Sequence, residues 1–253
     1  MSKKIVLVGG LGNSGSGAIH DLIKSSDKFI SPFDGQEFRM VNDPYGLDSL
    51  YKSFYESDNF YHFSAALKDF YDYNVFLSEI KIRNNRNKNF LIKNKKKYTF
   101  LIETFIKKIT EVEYYGYPQF SKFRISYLKN LDFKFKNLIY SNNQKRPMKM
   151  IIPKKKKIFL KESQLLLRSI FETNLNGKNR FKNIILNQGL NIFSPLSSVK
   201  FYGRAKCIIV LRDPKSIFYS MKSRKSFGYP GYNLDLFIDW YKKYFEKFKK
   251  IKS

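Results

Sequence analysis

The stretch Ile5-Val6-Leu7-Val8-Gly9-Gly10-Leu11-Gly12-Asn13-Ser14-Gly15-Ser16-Gly17-Ala18 constrains this chain more than any other. Four aliphatic residues in a row predict a buried strand over 4–9, and Ile19-His20-Asp21-Leu22-Ile23 predicts a helix over about 16–25, with Ser14 or Ser16 as its N-cap. Between them, five glycines in nine positions leave the backbone without Cβ atoms and free to take positive φ. Amides of such a turn converge on an anion, and a helix starting at the same point adds unpaired N–H groups and the positive end of its dipole.

Spacing narrows what kind of cradle this is. Gly10 and Gly15 are separated as in the phosphate loop G-x-x-x-x-G-K-[ST], but Ser16 stands where the lysine belongs and Gly17 where the magnesium-binding hydroxyl belongs. The charge clamp of an ordinary nucleoside triphosphatase is missing. A dinucleotide turn is open in several registers of Gly10, Gly12, Gly15 and Gly17, although no acidic residue follows clearly at the expected distance. A tight turn without a ligand is the plain alternative.

Further along, Phe29 to Gly35 reads as a short strand running into a turn. Glu37-Phe38-Arg39 and the turn Asn42-Asp43-Pro44-Tyr45-Gly46 read as a loop that lines a pocket or is simply solvated. Apolar spacing at three and four predicts helices within 47–82, over 99–112, and over 158–175 with Leu160, Leu165, Leu167, Ile170 and Phe171 buried. Basic stretches at 84–97 and 142–157 read as exposed loops, and 114–140 stays ambiguous between helix and strand. Two more apolar runs, Asn183 to Gln188 and the buried-strand type Lys206 to Leu211, precede helices over Ser194 to Tyr202 and Lys215 to Arg224. Strands alternating with helices predict a single α/β domain over 1–253. It has a doubly wound parallel sheet, and 47–180 forms a mostly helical insertion. Ligands of such sheets sit at the carboxyl ends of the strands, where the glycine turn and Arg212 both fall.

The formal charge of +27 suits nucleic acid, small anions and acidic membrane surfaces alike, and its lysines run along the whole chain, so it selects no specific nucleic acid and allows peripheral membrane contact. One cysteine, Cys207, excludes a disulfide framework and a cysteine-built zinc site. No window reaches the length of a membrane span, which points to a protein of the reducing cytoplasm.

Leu211-Arg212-Asp213-Pro214-Lys215-Ser216-Ile217-Phe218-Tyr219-Ser220 resembles the 3′-phosphate-binding motif of sulfotransferases, with Arg212 and Ser220 at that family's spacing. Asn13-Ser14-Gly15-Ser16-Gly17 resembles the family's 5′-phosphosulfate loop, whose usual form is Lys or Arg followed by Ser-Gly-Thr-Thr. Gly15-Ser16-Gly17-Ala18 is a second register. The resemblance implies a fold similar to phosphate-loop nucleotide kinases, with 3′-phosphoadenosine 5′-phosphosulfate as co-substrate and no metal. It implies sulfuryl transfer to a hydroxyl of a carbohydrate or similar acceptor. The loop from Gly12 through Asn13, Ser14, Gly15, Ser16 and Gly17 to Ala18 would hold the 5′ phosphosulfate. Arg212 and Ser220 would hold the 3′ phosphate.

Two departures stand out. Asn13, or Gly15 in the second register, occupies the place of the family's catalytic cation, so that charge must come from elsewhere in the chain, from Arg39 or a lysine distant in sequence. The acceptor base is assigned to Glu37, while His20 and His62 read as packing residues. The resemblance covers 1–45 and 183–253 and ends in a basic helix, Leu234 to Lys252, where relatives usually continue, so a truncated or divergent member is expected. The rival readings are a divergent phosphate-loop nucleotide kinase and a non-enzymatic basic module for nucleic acid or anionic membrane.

Overall fold

The computed structural model describes residues 4–57, 59–79, 81–82, 85–89, 92, 94–116, 148–175, 177–225 and 229–252. Its centre is a four-stranded parallel sheet of β1 (Ile5–Gly10), β2 (Phe29–Ile30), β7 (Asn183–Asn187) and β8 (Ala205–Val210), in the order β2-β7-β1-β8. Ile5 to Val8 of β1 pair with Ile184 to Asn187 on one side, and Ile5 to Gly10 pair with Ala205 to Val210 on the other. Side-chain alternation then divides the apolar residues between two faces. Val6, Val8 and Ile185 pack with Ile19 and Ile23 of α1 (Ser16–Lys24), while Ile5, Leu7, Ile184 and Leu186 join the larger core on the opposite face. The parallel α/β architecture expected from the strand and helix pattern is present.

Helices fill the larger core. They are α2 (Leu47–Tyr55), α3 (Phe60–Glu79), α4 (Lys95–Ile109), α5 (Lys156–Asn174) and α6 (Pro195–Tyr202). In α4 the buried residues Tyr98, Ile102, Phe105 and Ile109 recur at four and three, one stripe of a helix. Phe159 of α5 lies at the middle of an aromatic cluster, 5.6 to 5.8 Å from the rings of Tyr51, Phe54, Tyr55 and Phe105. Most of these contacts are edge-on, the arrangement favoured by ring quadrupoles. The chain closes with α7 (Pro214–Ser223) and α8 (Leu234–Lys252). No described helix is long and apolar enough to cross a membrane.

Several sequence expectations need correction. The N-cap of α1 is Gly15 in the left-handed region, with no side-chain cap, so neither Ser14 nor Ser16 serves. The stretch 84–97 contains β4 (Asn85–Asn89), antiparallel to β3 (Lys81–Ile82), and the start of α4. The stretch 142–157 contains β6 (Met148–Pro153), antiparallel to β5 (Thr110–Gly116), with Met150 and Ile151 buried; the rest of 114–140 and the first part of 142–157, through residue 147, lie outside the described residues. The middle of the chain is therefore helices plus two hairpins. In α5 the inward face is Phe159, Ser163, Leu166, Leu167, Ile170 and Phe171, whereas Leu165 is exposed. Among the described residues β8 is the edge of the sheet, not a fully buried strand: Lys206 and Cys207 are exposed and the remaining residues are half-buried. A lysine on an edge strand discourages pairing with a further chain.

Candidate anion-binding site at the carboxyl end of the sheet

β1 ends at Gly10, and the chain turns through Leu11–Gly15 into α1. Asn13 and Gly15 carry it through with φ of 64° and 90°. Glycine is needed at 15 because a side chain is strained at that φ, and asparagine is among the residues that tolerate such a backbone. Gly10 is needed for space: a Cβ there would meet Ser14 Oγ at 2.2 Å and the carbonyl of Val210 at 2.9 Å. Gly12 is needed because a Cβ would fall 2.5 Å from the ring of Tyr229, which leans on Trp240 of α8. Around Gly15 and Gly17 there is open space.

The potential donors of the loop divide clearly. The Ser14 amide donates to Leu11 at 2.9 Å and the Ala18 amide to Gly15 at 3.0 Å. The Ser14 hydroxyl is buried with no hydrogen-bond partner, tucked against Gly10, and Ser16 Oγ accepts from Gln188 Nε2 at 3.0 Å. What remains for an anion is main chain: the amides of Asn13, Gly15, Ser16 and Gly17, at the positive end of α1.

From the other end of the sequence, Arg212 follows β8. Its Nη1 donates to the main-chain carbonyl of Asn13 at 3.0 Å and lies 3.5 Å from Ser220 Oγ. The alternative ion pair with Asp213 is not formed. That carboxylate accepts from the Ser216 amide at 2.9 Å and caps α7, and this bond, foremost among its causes, holds Asp213 below the usual carboxylate range. The structure thus brings the glycine loop, Arg212 and Ser220 to one place.

Two residues here escaped the sequence reading. Gln188, at φ 54°, uses its side-chain amide to hold Gly10 O at 3.2 Å and Ser16 Oγ, tying the end of β7 to the loop. The polar end of an apolar strand was its signal. Arg224, at the end of α7, places Nη1 3.4 Å from Asn13 Oδ1.

Glu37 forms an isolated parallel bridge with Asn187, the last residue of β7, so it too lies at the carboxyl end of the sheet. Its Oε2 accepts from Arg39 Nε at 2.9 Å and from Nη2. Arg39 is therefore occupied by Glu37, with Asp43 at 3.9 Å, and not by the loop. His20 is fully buried in α1, with Nδ1 3.0 Å from Asp21 Oδ1 and Nε2 without a partner. His62 is exposed beside Ser57 Oγ, which corrects its reading as a packing residue.

Of the loop expected to line a pocket, the second turn is seen to do so. A cavity of about 560 Å³ is walled by Asp43, Pro44 and Tyr45 with Asp69, Asp72, Tyr73 and Phe76 of α3. Tyr73 donates to Asp43 Oδ2 at 2.8 Å, and burial raises the pKa of both groups. Asn42, one residue before, donates to the Gln188 carbonyl at 3.4 Å, which links this wall to the loop. Among the described residues no group of three or more His, Cys, Asp or Glu side chains is arranged to hold a metal ion. In comparisons with known proteins, the chain matches no family model, no curated protein and no solved structure.

Proposed function

We propose that this chain binds an adenosine 3′,5′-bisphosphate-type nucleotide on a doubly wound frame of the phosphate-loop kind. On this reading it transfers a sulfuryl group from 3′-phosphoadenosine 5′-phosphosulfate to a hydroxyl of a carbohydrate-like acceptor. One observation carries the reading: Arg212 Nη1 stands 3.0 Å from Asn13 O and 3.5 Å from Ser220 Oγ, so two anion grips from opposite ends of the chain share one location. A guanidinium beside a helix hydroxyl suits the 3′ phosphate through parallel charge-assisted bonds. The amides of Asn13, Gly15, Ser16 and Gly17 suit the 5′ end.

In the reaction the acceptor oxygen attacks sulfur as the bond from sulfur to the 5′-phosphate oxygen breaks. Negative charge grows on that departing phosphate, where the amides and the helix dipole stabilise it. The acceptor proton passes to Glu37, through Oε1, since Oε2 is held by Arg39. The carboxylates and tyrosine hydroxyls of the 560 Å³ cavity offer hydrogen-bond partners to a polyhydroxyl acceptor.

Calorimetry with adenosine 3′,5′-bisphosphate tests the proposal. The protein binds it, and Arg212→Ala weakens binding about 10- to 100-fold, the loss expected for hydrogen bonds to a charged group. No binding by the unaltered protein, or equal binding by Arg212→Ala, ends the reading. Steep salt dependence on unrelated polyanions in that event favours the basic binding module.

A further inference from the structure

We infer that Arg224 supplies the cation that the glycine loop itself lacks, and that it reads the 5′ end of the bound nucleotide while Arg212 reads the 3′ phosphate. The inference rests on the nucleotide reading above. In the first register of the resemblance, Asn13 stands where a basic side chain would neutralise the phosphate, and an amide carries no charge. That side chain is not alone: its Oδ1 lies 3.4 Å from Arg224 Nη1. The carbonyl of the same residue accepts from Arg212 at 3.0 Å. Two guanidinium groups thus converge on one residue from the start and the end of α7, and among the described residues neither is ion-paired with a carboxylate.

Two like charges brought together without a counter-charge repel, and the repulsion turns to attraction when a ligand with two anionic groups lies between them. Asp213, the carboxylate nearest in sequence to Arg212, is committed to the Ser216 amide. The other candidate cation, Arg39, is neutralised by Glu37 and Asp43. Arg224 is exposed at the end of its helix, and its contact with Asn13 is a hydrogen bond to a neutral amide oxygen at the long end of the range. Exchange of that contact for a phosphate oxygen costs little and gains a charge-assisted pair. Asn13 belongs to the same turn as the amides of residues 15 to 17, so a side chain that reaches Asn13 approaches that turn.

The test crosses two variants with three probes in calorimetry: adenosine 3′,5′-bisphosphate, adenosine 5′-monophosphate and adenosine 3′-monophosphate. Arg224→Ala weakens the bisphosphate and the 5′-monophosphate tenfold or more and leaves the 3′-monophosphate within twofold. Arg212→Ala does the reverse with the two monophosphates. Arg224→Lys restores most of the lost affinity because a point charge suffices, and Arg224→Gln does not. Thermal midpoints of the Arg224 variants stay with that of the unaltered protein, since the residue is exposed. If Arg212→Ala abolishes binding while Arg224→Ala binds the bisphosphate as the unaltered protein does, this inference is overturned and the nucleotide reading survives. Equal losses for both monophosphates in Arg224→Ala also overturn it, as a general charge effect. If no probe binds the unaltered protein, the nucleotide reading falls and takes this one with it.

Discussion

Arg212 Nη1 donates to the carbonyl of Asn13 at 3.0 Å, across 199 positions of sequence. The bond joins the segment after the edge strand β8 to the turn after the central strand β1, which are neighbours only because the two strands pair in parallel from Ile5 with Ala205 to Gly10 with Val210. Parallel pairing puts both carboxyl ends at one edge of the sheet, and that edge collects the glycine loop, Gln188, Glu37 and the two arginines.

Gly12 and Tyr229 form a testable couple. A Cβ at position 12 would lie 2.5 Å from the Tyr229 ring, so Gly12→Ala forces the ring off the loop and costs about 1–3 kcal/mol as an overpacking change. In Tyr229→Ala the obstruction is gone. Urea unfolding of both single variants and the double variant should give a coupling of roughly 1 kcal/mol or more in the direction of relief, as expected for residues in contact. Additive losses would mean that Tyr229 does not rest on the loop.

The local elements of this fold were legible because their patterns are self-contained. Ile5–Gly10, the glycine turn and Ser16–Lys24 each follow from neighbours in sequence. The identity of β8 as an edge was not legible. A run such as Cys207 to Val210 reads the same whether or not a further strand pairs beside it, and only the sheet decides. Leu165 on α5 was misplaced for a related reason, while Leu167, Ile170 and Phe171 are buried as expected. Leu165, Leu166 and Leu167 are adjacent, and two of the three are buried because of where Phe159 and Phe171 sit. At the site, Arg212 and Ser220 were visible as a spaced pair. Arg224 was not, since its role depends on the length of α7 folding it back to Asn13, and the amides carry no letter in the sequence at all.

The two glycines over open space separate stability from binding. Gly15 has φ of 90°, so Gly15→Ala is strained whatever the space and costs on the order of 1 kcal/mol. Gly17 lies inside the first turn of α1 at ordinary φ, and Gly17→Ala should raise stability by about 0.5–1 kcal/mol through lower unfolded-state entropy. On the proposed reading its new methyl enters open space next to the loop amides and should weaken nucleotide binding. Urea midpoints and calorimetry on the same two proteins check the pair; a Gly17→Ala protein both less stable and unaltered in binding contradicts the geometry.

Asp213 gives a pH dependence with a definite sign. The Ser216 amide, donating at 2.9 Å, holds the folded-state pKa below its ordinary value. The stabilisation is complete above the ordinary carboxylate value, where the group is ionised in both states. It is lost as pH falls through the lowered folded value. The urea midpoint of Asp213→Ala should therefore lie below that of the unaltered protein from neutral pH down to the carboxylate range, and the gap should close under more acid conditions. A gap that stays constant to pH 2 would show that the side chain acts by packing rather than by charge.

Phe159 and Leu165 test which way α5 faces. Phe159 is fully buried against the rings of Tyr51, Phe54, Tyr55 and Phe105, whereas Leu165, less than two turns on, is 40% exposed. Removing the Phe159 ring leaves a cavity that its rigid neighbours cannot fill, at about 3–5 kcal/mol. Leu165→Ala removes a side chain from the outer face and should stay within about 0.5 kcal/mol. Both are read from urea midpoints at an unchanged m-value. The Phe159 ring meets Tyr51, Phe54, Tyr55, Phe105 and Phe201 and no residue of the glycine loop, so on the proposed reading a Phe159→Ala protein that remains folded should keep its nucleotide affinity; a large loss of stability in Leu165→Ala would contradict the outward placement of that side chain.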